Sequence, residues 1–251
     1  MKSLFIAAAI LGLAAAAAPA AAKTPAYIAA AIANKNRPAE DVARDADRKP
    51  AEMMEFAGIR PGMKVVDLIP GKGYFSRLFA AAVAPYGWVY AFEPTEFDAV
   101  YAKHNIPVPA GGDPNYPDFN FIHQSITKFV LPEQVDIVWT SQNYHDLHDK
   151  FTGPVDLAVA NKAIFNALKP GGYYIVLDHA AEKGSGLRDT DTLHRIDPAA
   201  VKQEVEAAGF KFVGESKVLR NPRDPHTALV FDKSIRGHTD QFIFKFQKPK
   251  K

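Results

Sequence analysis

The most polar concentration in this sequence is SQNYHDLHD, residues 141–149, which follows directly on the apolar run VDIVW. His145 within it is a candidate general base, because an imidazole with an ordinary pKa near 6.5 is largely neutral at neutral pH and able to take a proton. Tyr144 and Asp146 are candidate catalytic partners that would orient a substrate or the histidine ring, as a carboxylate orients a base elsewhere. A helix-capping loop explains the same stretch, since Asn, Asp and His are ordinary turn residues. His145 and His148 stand three apart with Asp149 adjacent, a spacing that on a helix would offer a divalent ion two rings on one face. The simpler reading of that pair is a solvated face, and no metal is assigned to it.

A second concentration is VVDLIPGKGYFSRLFA, residues 65–80, which reads as a strand, a glycine turn and a helix. Gly71 and Gly73 would let the backbone approach a ligand at a helix N-terminus, where unpaired N–H groups are available. Glu93, at the end of VYAFEP and about 20 residues beyond the turn, is placed to accept hydrogen bonds from two ribose hydroxyls. The dinucleotide pattern G-x-G-x-x-G is not met, because its third glycine is absent.

Other candidates follow later apolar runs. Asp178 and His179 close the run GGYYIVL, and His194 with Arg195 precede the next helix, so His179, His194 and Arg195 are candidate substrate-binding residues. Arg195 would suit an anionic group through bidentate hydrogen bonds, or would pair with Asp191 or Asp197 at the surface. Arg223, His226, Arg236, His238 and Asp240, in the long segment 221–240, form either a lid or a brace for the hairpin around them. Asp45 and Arg48 belong to an N-terminal arm that could cover the same rim.

These residues need elements to position them. From Met63 onward an apolar run, a turn and a helical pattern repeat, with strands expected at 64–68, 88–92, 119–123, 135–140 and 173–178. Helices are expected at 73–84, near 95–103, at 154–168 and at 198–208, the last opened by a capping Asp197 and a first-turn Pro198. FKFVGESKVL and QFIFKFQK alternate like strands. The pattern predicts an α/β fold: a Rossmann-like, mostly parallel seven-stranded sheet with helices on both faces and an antiparallel C-terminal strand pair. Residues 23–49 read as a helical arm broken at Arg37-Pro38 and Lys49-Pro50, and residues 50–251 as the main domain, opened by a short helix from Pro50 to near Gly58.

Composition narrows the function classes. The formal charge is +2, from 30 basic and 28 acidic residues among 251, so no global field would draw the chain onto nucleic acid or an anionic membrane. There is no cysteine, hence no disulfide, no thiolate metal site and no thiol nucleophile. Residues 1–22 carry an early Lys2, an apolar stretch through Leu13 and an Ala20-Ala21-Ala22 ending, the layout of a cleaved signal peptide. The apolar core is short of the roughly 20 residues a bilayer-spanning helix needs. Export to the periplasm or beyond is therefore expected, without stable membrane insertion of the mature chain; oligomeric state is not legible.

An acidic residue at a strand end followed by glycines, here Asp67 with Gly71 and Gly73, resembles the signature of class I S-adenosylmethionine-dependent methyltransferases. Gly-Ile-Arg-Pro-Gly-Met before the first strand, Glu93, VDIVW, LKPGGYYIVLD and the AAGF segment extend the resemblance over roughly residues 50–248. DLIPGKGYF, NYHDLHD, HRID and RGHTDQFIFKFQKP look like a group of predicted exported methyltransferases within that superfamily. The resemblance implies S-adenosylmethionine as cofactor and a small-molecule acceptor. It further implies that Asp67 holds the water or amino-acid end of the cofactor, that Gly71 and Gly73 line it, that Glu93 binds its ribose, and that Ser125 stands where an aspartate commonly contacts the adenine. Asn143 would lie beside the sulfonium. Ile69 replaces the first glycine and Ser125 the aspartate. Two other readings stay open: an exported protein that binds another ligand on the same rim, and a metal-dependent hydrolase or transferase centred on His145, His148 and His179.

Overall fold

The computed structural model describes residues 23–108 and 113–250. The expected leader, residues 1–22, lies outside the described residues. The arm consists of three short helices, α1 (Ala26–Ile32), α2 (Ala39–Val42) and α3 (Asp45–Arg48), with breaks before Pro38 and Pro50. Proline lacks the N–H that would continue a helix and restricts the residue before it. Pro50 then opens α4 (Pro50–Ala57), which Gly58 ends at φ +81°.

Seven strands follow: β1 (Lys64–Leu68), β2 (Trp88–Pro94), β3 (Phe119–Gln124), β4 (Val135–Ser141), β5 (Leu168–His179), β6 (Lys211–Ser216) and β7 (Gln241–Gln247). They form one sheet in the order β3-β2-β1-β4-β5-β7-β6. β1 to β5 run parallel, and β7 lies antiparallel between β5 and β6. The order reverses between β1 and β4, so the crevice beyond their carboxyl ends is where such a sheet takes a ligand.

Strand side chains alternate between two cores. Val66 and Leu68 of β1, Phe92 of β2 and Val176 of β5 face α7 (Leu157–Ala167) and α9 (Pro198–Ala207). Val65, Val89, Trp139 and Ile175 face α1, α4 and α5 (Tyr74–Val83). Helix α5 buries Phe75, Leu78, Phe79 and Ala82 at three- and four-residue intervals, each large apolar side chain contributing about 1.5–3 kcal/mol. Asp156 and Asp197 cap α7 and α9 by accepting from Val159 N and Ala199 N.

The structure departs from the expectation at two places. β5 begins at Leu168 rather than 173, because Leu168 pairs with Val135 across an irregularity and the Lys-Pro-Gly-Gly stretch is carried within the strand. The expected helix 95–103 is a single tight turn, Thr95–Phe97, followed by α6 (Asp98–Lys103). Segment 221–240 forms no helix or strand. Among the described residues no helix is long and apolar enough to cross a membrane.

Candidate active site

At the carboxyl end of β1 the Ile69 N–H donates to the Phe92 carbonyl at 2.8 Å, and the backbone then turns to φ +57°. A left-handed conformation costs a residue with a Cβ about 1–2 kcal/mol, and a β-branched residue there is an outlier. The Ile69 side chain is 8% exposed and packs with Val66, Phe92 and Tyr144 in the α7–α9 core. It does not line the cavity beside the glycines. Asn143 holds the bend, donating from Nδ2 to the Ile69 carbonyl at 2.8 Å while its Oδ1 accepts from the Thr140 hydroxyl. Both polar groups of Asn143 thus tie β1 to β4.

Two buried carboxylates flank this bend. Asp67 accepts from the Ser76 hydroxyl at 2.5 Å, and burial pushes its pKa up to about 7 against the pull of Ser76 and Arg48. Glu93 is fully buried; its Oε1 accepts from the Tyr101 hydroxyl at 2.7 Å, and its Oε2 has no partner among the described residues. Burial raises Glu93 to about 7 as well. A cavity of about 670 Å³ lies against Pro70, Gly71, Gly73, Tyr101 and Phe121, and Ser76 also lines it, so it reaches the partners of both carboxylates. At Gly71, φ is +54° and an added Cβ would meet nothing within 4 Å, which leaves the turn open on that side.

Ser125 donates to Glu96 Oε1 at 2.6 Å, and the Ile126 N–H donates to the same carboxylate. The turn after β2 therefore brings an acidic group to the loop after β3. The arm closes over the start of α5: Arg37 and Tyr74 both donate to Asp45, and Arg77 pairs with Asp41 at 2.6 Å. The Arg48 guanidinium lies 4.8 Å from the Tyr74 ring centre and donates to Gln142 at 2.6 Å. Burial lowers its pKa to about 10.

Segment 141–149 divides between two environments. Tyr144, expected in a catalytic role, is fully buried; its hydroxyl donates to Glu204 and accepts from Asn161, each at 2.9 Å. That placement corrects the expectation: the phenol is held inside the α7–α9 layer. His148 also faces Glu204, at 3.1 Å. His145 turns the other way, and both of its ring nitrogens are engaged. Nδ1 lies 2.8 Å from Asp178 Oδ1, and Nε2 lies 3.1 Å from Asp146 Oδ1 and 3.2 Å from His194 Nδ1. Burial alone would disfavour charge on this ring, but Asp178 and Asp146 outweigh it and hold the His145 pKa well above the ordinary value.

His194 ends α8 (Thr190–Leu193) in a left-handed conformation, φ +52°, with its ring 5.1 Å from that of Phe231. Its Nδ1 stands 3.4 Å from Asp146 and 3.8 Å from Asp149 Oδ2. Asp149 is 1% exposed; Thr190 is nearby, yet neither carboxylate oxygen of Asp149 has a hydrogen-bond partner among the described residues. A cavity of about 570 Å³, lined by Phe97, Val100, Phe151 and Phe231, opens onto Asp146 and His194. Helix α6 stands between the two cavities, with Tyr101 lining one and Val100 the other.

Arg195 requires a correction. It is fully buried, its guanidinium paired with Asp224 at 2.8 and 3.1 Å and donating to the carbonyls of Ala180 and Ala228. It braces segment 221–240 and offers no free donor pair to a substrate; its partner is neither Asp191 nor Asp197. His179 accepts or donates through Nδ1 at 2.7 Å from Thr239 Oγ1 and lines a third cavity, of about 670 Å³, with Arg48 and Arg236. Burial lowers its pKa to about 4. The His145 and His179 rings lie 6.1 Å apart, but His148 faces Glu204 instead, so the three do not converge. A larger groove of about 820 Å³, between Thr127–Gln134 and α7, lies at the amino ends of β4 and β5.

Ser76, Tyr101, Glu96 and Asp178 were not among the site residues drawn from the sequence. Asp178 alone carried a signal, as an acidic residue closing an apolar run. Tyr101 and Glu96 meet their partners only once β2, α6 and the loop after β3 have been brought together.

No protein-family model matches this sequence, and no curated protein matches it. Solved structures do share its fold. An S-adenosylmethionine-dependent methyltransferase from Aquifex aeolicus superposes with a TM-score of 0.56 at 17% identity, over 86% of this chain and 96% of that one. An arsenic(III) S-adenosylmethionine methyltransferase from Chlamydomonas reinhardtii gives 0.53 at 16% identity, over 91% and 74%. The cyclase SpnF gives 0.55 at 15% identity, over 81% and 82%.

Proposed function

We propose, starting from a fold shared with S-adenosylmethionine-dependent methyltransferases, that this chain is itself such an enzyme acting on a small molecule. The observation that carries the reading is Glu93: a buried carboxylate at the end of β2, one oxygen of which has no partner among the described residues while the other is held by Tyr101, which lines the cavity beside the glycine turn. A buried acceptor without a donor costs roughly 1–3 kcal/mol, and a ribose hydroxyl would satisfy it.

The remaining residues fit the same group. Gly71 leaves the turn before α5 open to a ligand, and Asp67, half-ionised near neutral pH, and Arg48 stand beside it. Glu96 brings a carboxylate to Ser125, at the position where the resemblance places an aspartate for the adenine. Ile69 keeps the left-handed bend of a glycine while its side chain sits in the core. When bound, S-adenosylmethionine would supply an electrophilic methyl group on a sulfonium. The protein then has to align an acceptor with it and exclude water. On the acceptor side, the aromatic cavity beside Asp146 and His194 is the counterpart, with His145 held in place by Asp178.

The test is calorimetric titration of the purified protein with S-adenosylhomocysteine. Saturable heat with one site per chain is expected; no heat at millimolar ligand would contradict the reading. Export belongs to the same proposal, and mass measurement of the mature chain from the periplasmic fraction, expected to begin after Ala22, tests it.

A further inference from the structure

We propose that His145, Asp146, Asp149 and His194 form a binding site for a divalent transition-metal cation. One ligand-type atom from each lies within 4.8 Å of the others. The closest separations, 3.1 Å for His145 to Asp146, 3.2 Å for His145 to His194, 3.4 Å for His194 to Asp146 and 3.8 Å for His194 to Asp149, span the edges of a coordination shell. Bonds of about 2.0–2.1 Å in a tetrahedral shell put neighbouring ligand atoms about 3.3 Å apart.

Asp149 is the independent observation that points to a ligand. Its side chain is buried and neither oxygen has a hydrogen-bond partner among the described residues, with His194 Nδ1 at 3.8 Å and Thr190 as the neighbouring groups, although it faces a cluster that includes another carboxylate. Two carboxylates drawn together are costly unless a cation lies between them, and a metal ion bound through His145 Nε2 would take the place of the proton that Asp146 and Asp178 otherwise favour on that ring. Outer contacts are also of the kind that prepares a metal-binding histidine. Asp178 accepts from the backbone N–H of His145 through Oδ2 at 2.8 Å and engages Nδ1 through Oδ1, which aims Nε2 at the cluster. His194 holds its ring there at the expense of a left-handed backbone.

Histidine nitrogen with carboxylate oxygen suits zinc, cobalt or manganese rather than a soft, thiolate-seeking ion. His194 and Asp146 are the members that reach the aromatic cavity, so a fifth ligand, expanding the shell, would enter from the side of Phe97, Phe151 and Phe231. A further ligand entering there would carry an oxygen or nitrogen donor on an apolar body. This last step rests on the methyltransferase reading, with that ligand as the methyl acceptor; the cation site itself does not.

The experiment is titration of metal-stripped, tag-free protein with Co²⁺, followed by visible absorbance, with no cofactor present. One equivalent is expected to bind to the wild type and to His148→Gln, which alters the neighbouring ring outside the cluster. Affinity is expected to fall at least tenfold in both Asp149→Asn and His194→Gln. Far-ultraviolet circular dichroism identifies either variant that fails to fold, and the other then decides. No binding to the wild type, or wild-type affinity in a folded Asp149→Asn or His194→Gln variant, overturns the site. Titration with S-adenosylhomocysteine is independent of these measurements, so failure of the cation site and failure of the methyltransferase reading are told apart.

Discussion

The two halves of the crevice are built differently. At the ends of β1 and β2 the polar groups are few, buried and incompletely partnered: among the described residues Glu93 Oε2 has no partner and the Asp67 side chain accepts from Ser76. At the ends of β4 and β5 they are many, and most are committed to the protein itself. Asn143 ties down the Ile69 bend, Tyr144 is locked by Glu204 and Asn161, and Arg195 is sealed against Asp224. Density of polar residues in the sequence therefore overstated the second region as chemistry and understated its role as a brace. What singles out the proposed site in each half is a buried carboxylate oxygen without a partner among the described residues.

Three measurements can break or sharpen that contrast. Arg195→Met should have the largest effect, removing about 3–5 kcal/mol of stability in urea unfolding because Asp224 is left as an unpaired buried charge. Affinity of the folded fraction for S-adenosylhomocysteine should be unchanged; lost affinity with intact stability would return Arg195 to the binding site. Ile69→Gly should cost less. Loss of the buried side chain costs about 3 kcal/mol and relief of the left-handed strain recovers about 1–2, for a net loss of about 1–2 kcal/mol, with affinity held within twofold. Affinity improved tenfold would show instead that the side chain obstructs the cofactor.

The third measurement is of a pH dependence. Asp67 and Glu93 stand at about 7 in the folded protein, above their ordinary values of 3.8 and 4.5. Folding therefore retains protons that the unfolded chain has released, so the stability these groups contribute is present at low pH and is lost as pH rises toward 7. The Asp67→Asn, Glu93→Gln double variant should lose less stability than the wild type between pH 4.5 and 7 in urea titrations. Parallel curves for the two proteins would mean that neither carboxylate is perturbed.

Much of the scaffold was legible because it rests on local periodicity. The apolar runs of β1 to β4 and the three- and four-residue spacing of α5 and α9 carry their own signal. The early start of β5 was not, since Pro170, Gly171 and Gly172 read as a turn and only pairing with β4 makes them strand. Within the site, Asp67, Gly71 and Glu93 could be located because each closes or follows a strand. The partner of Arg195 could not, since Asp224 lies 29 residues away in a segment with no periodic pattern. Nor could the vacant oxygens of Glu93 and Asp149 be read from residue types, because vacancy depends on every neighbour the fold supplies.

The most direct test of the account is a paired calorimetric titration of wild-type and Glu93→Gln protein with S-adenosylhomocysteine. Above pH 8, where Glu93 is ionised, the wild type should saturate and the variant should bind roughly thirtyfold more weakly, the equivalent of about 2 kcal/mol for hydrogen bonds to a charged acceptor. Equal affinity in the two proteins, or no binding to the wild type, would contradict it.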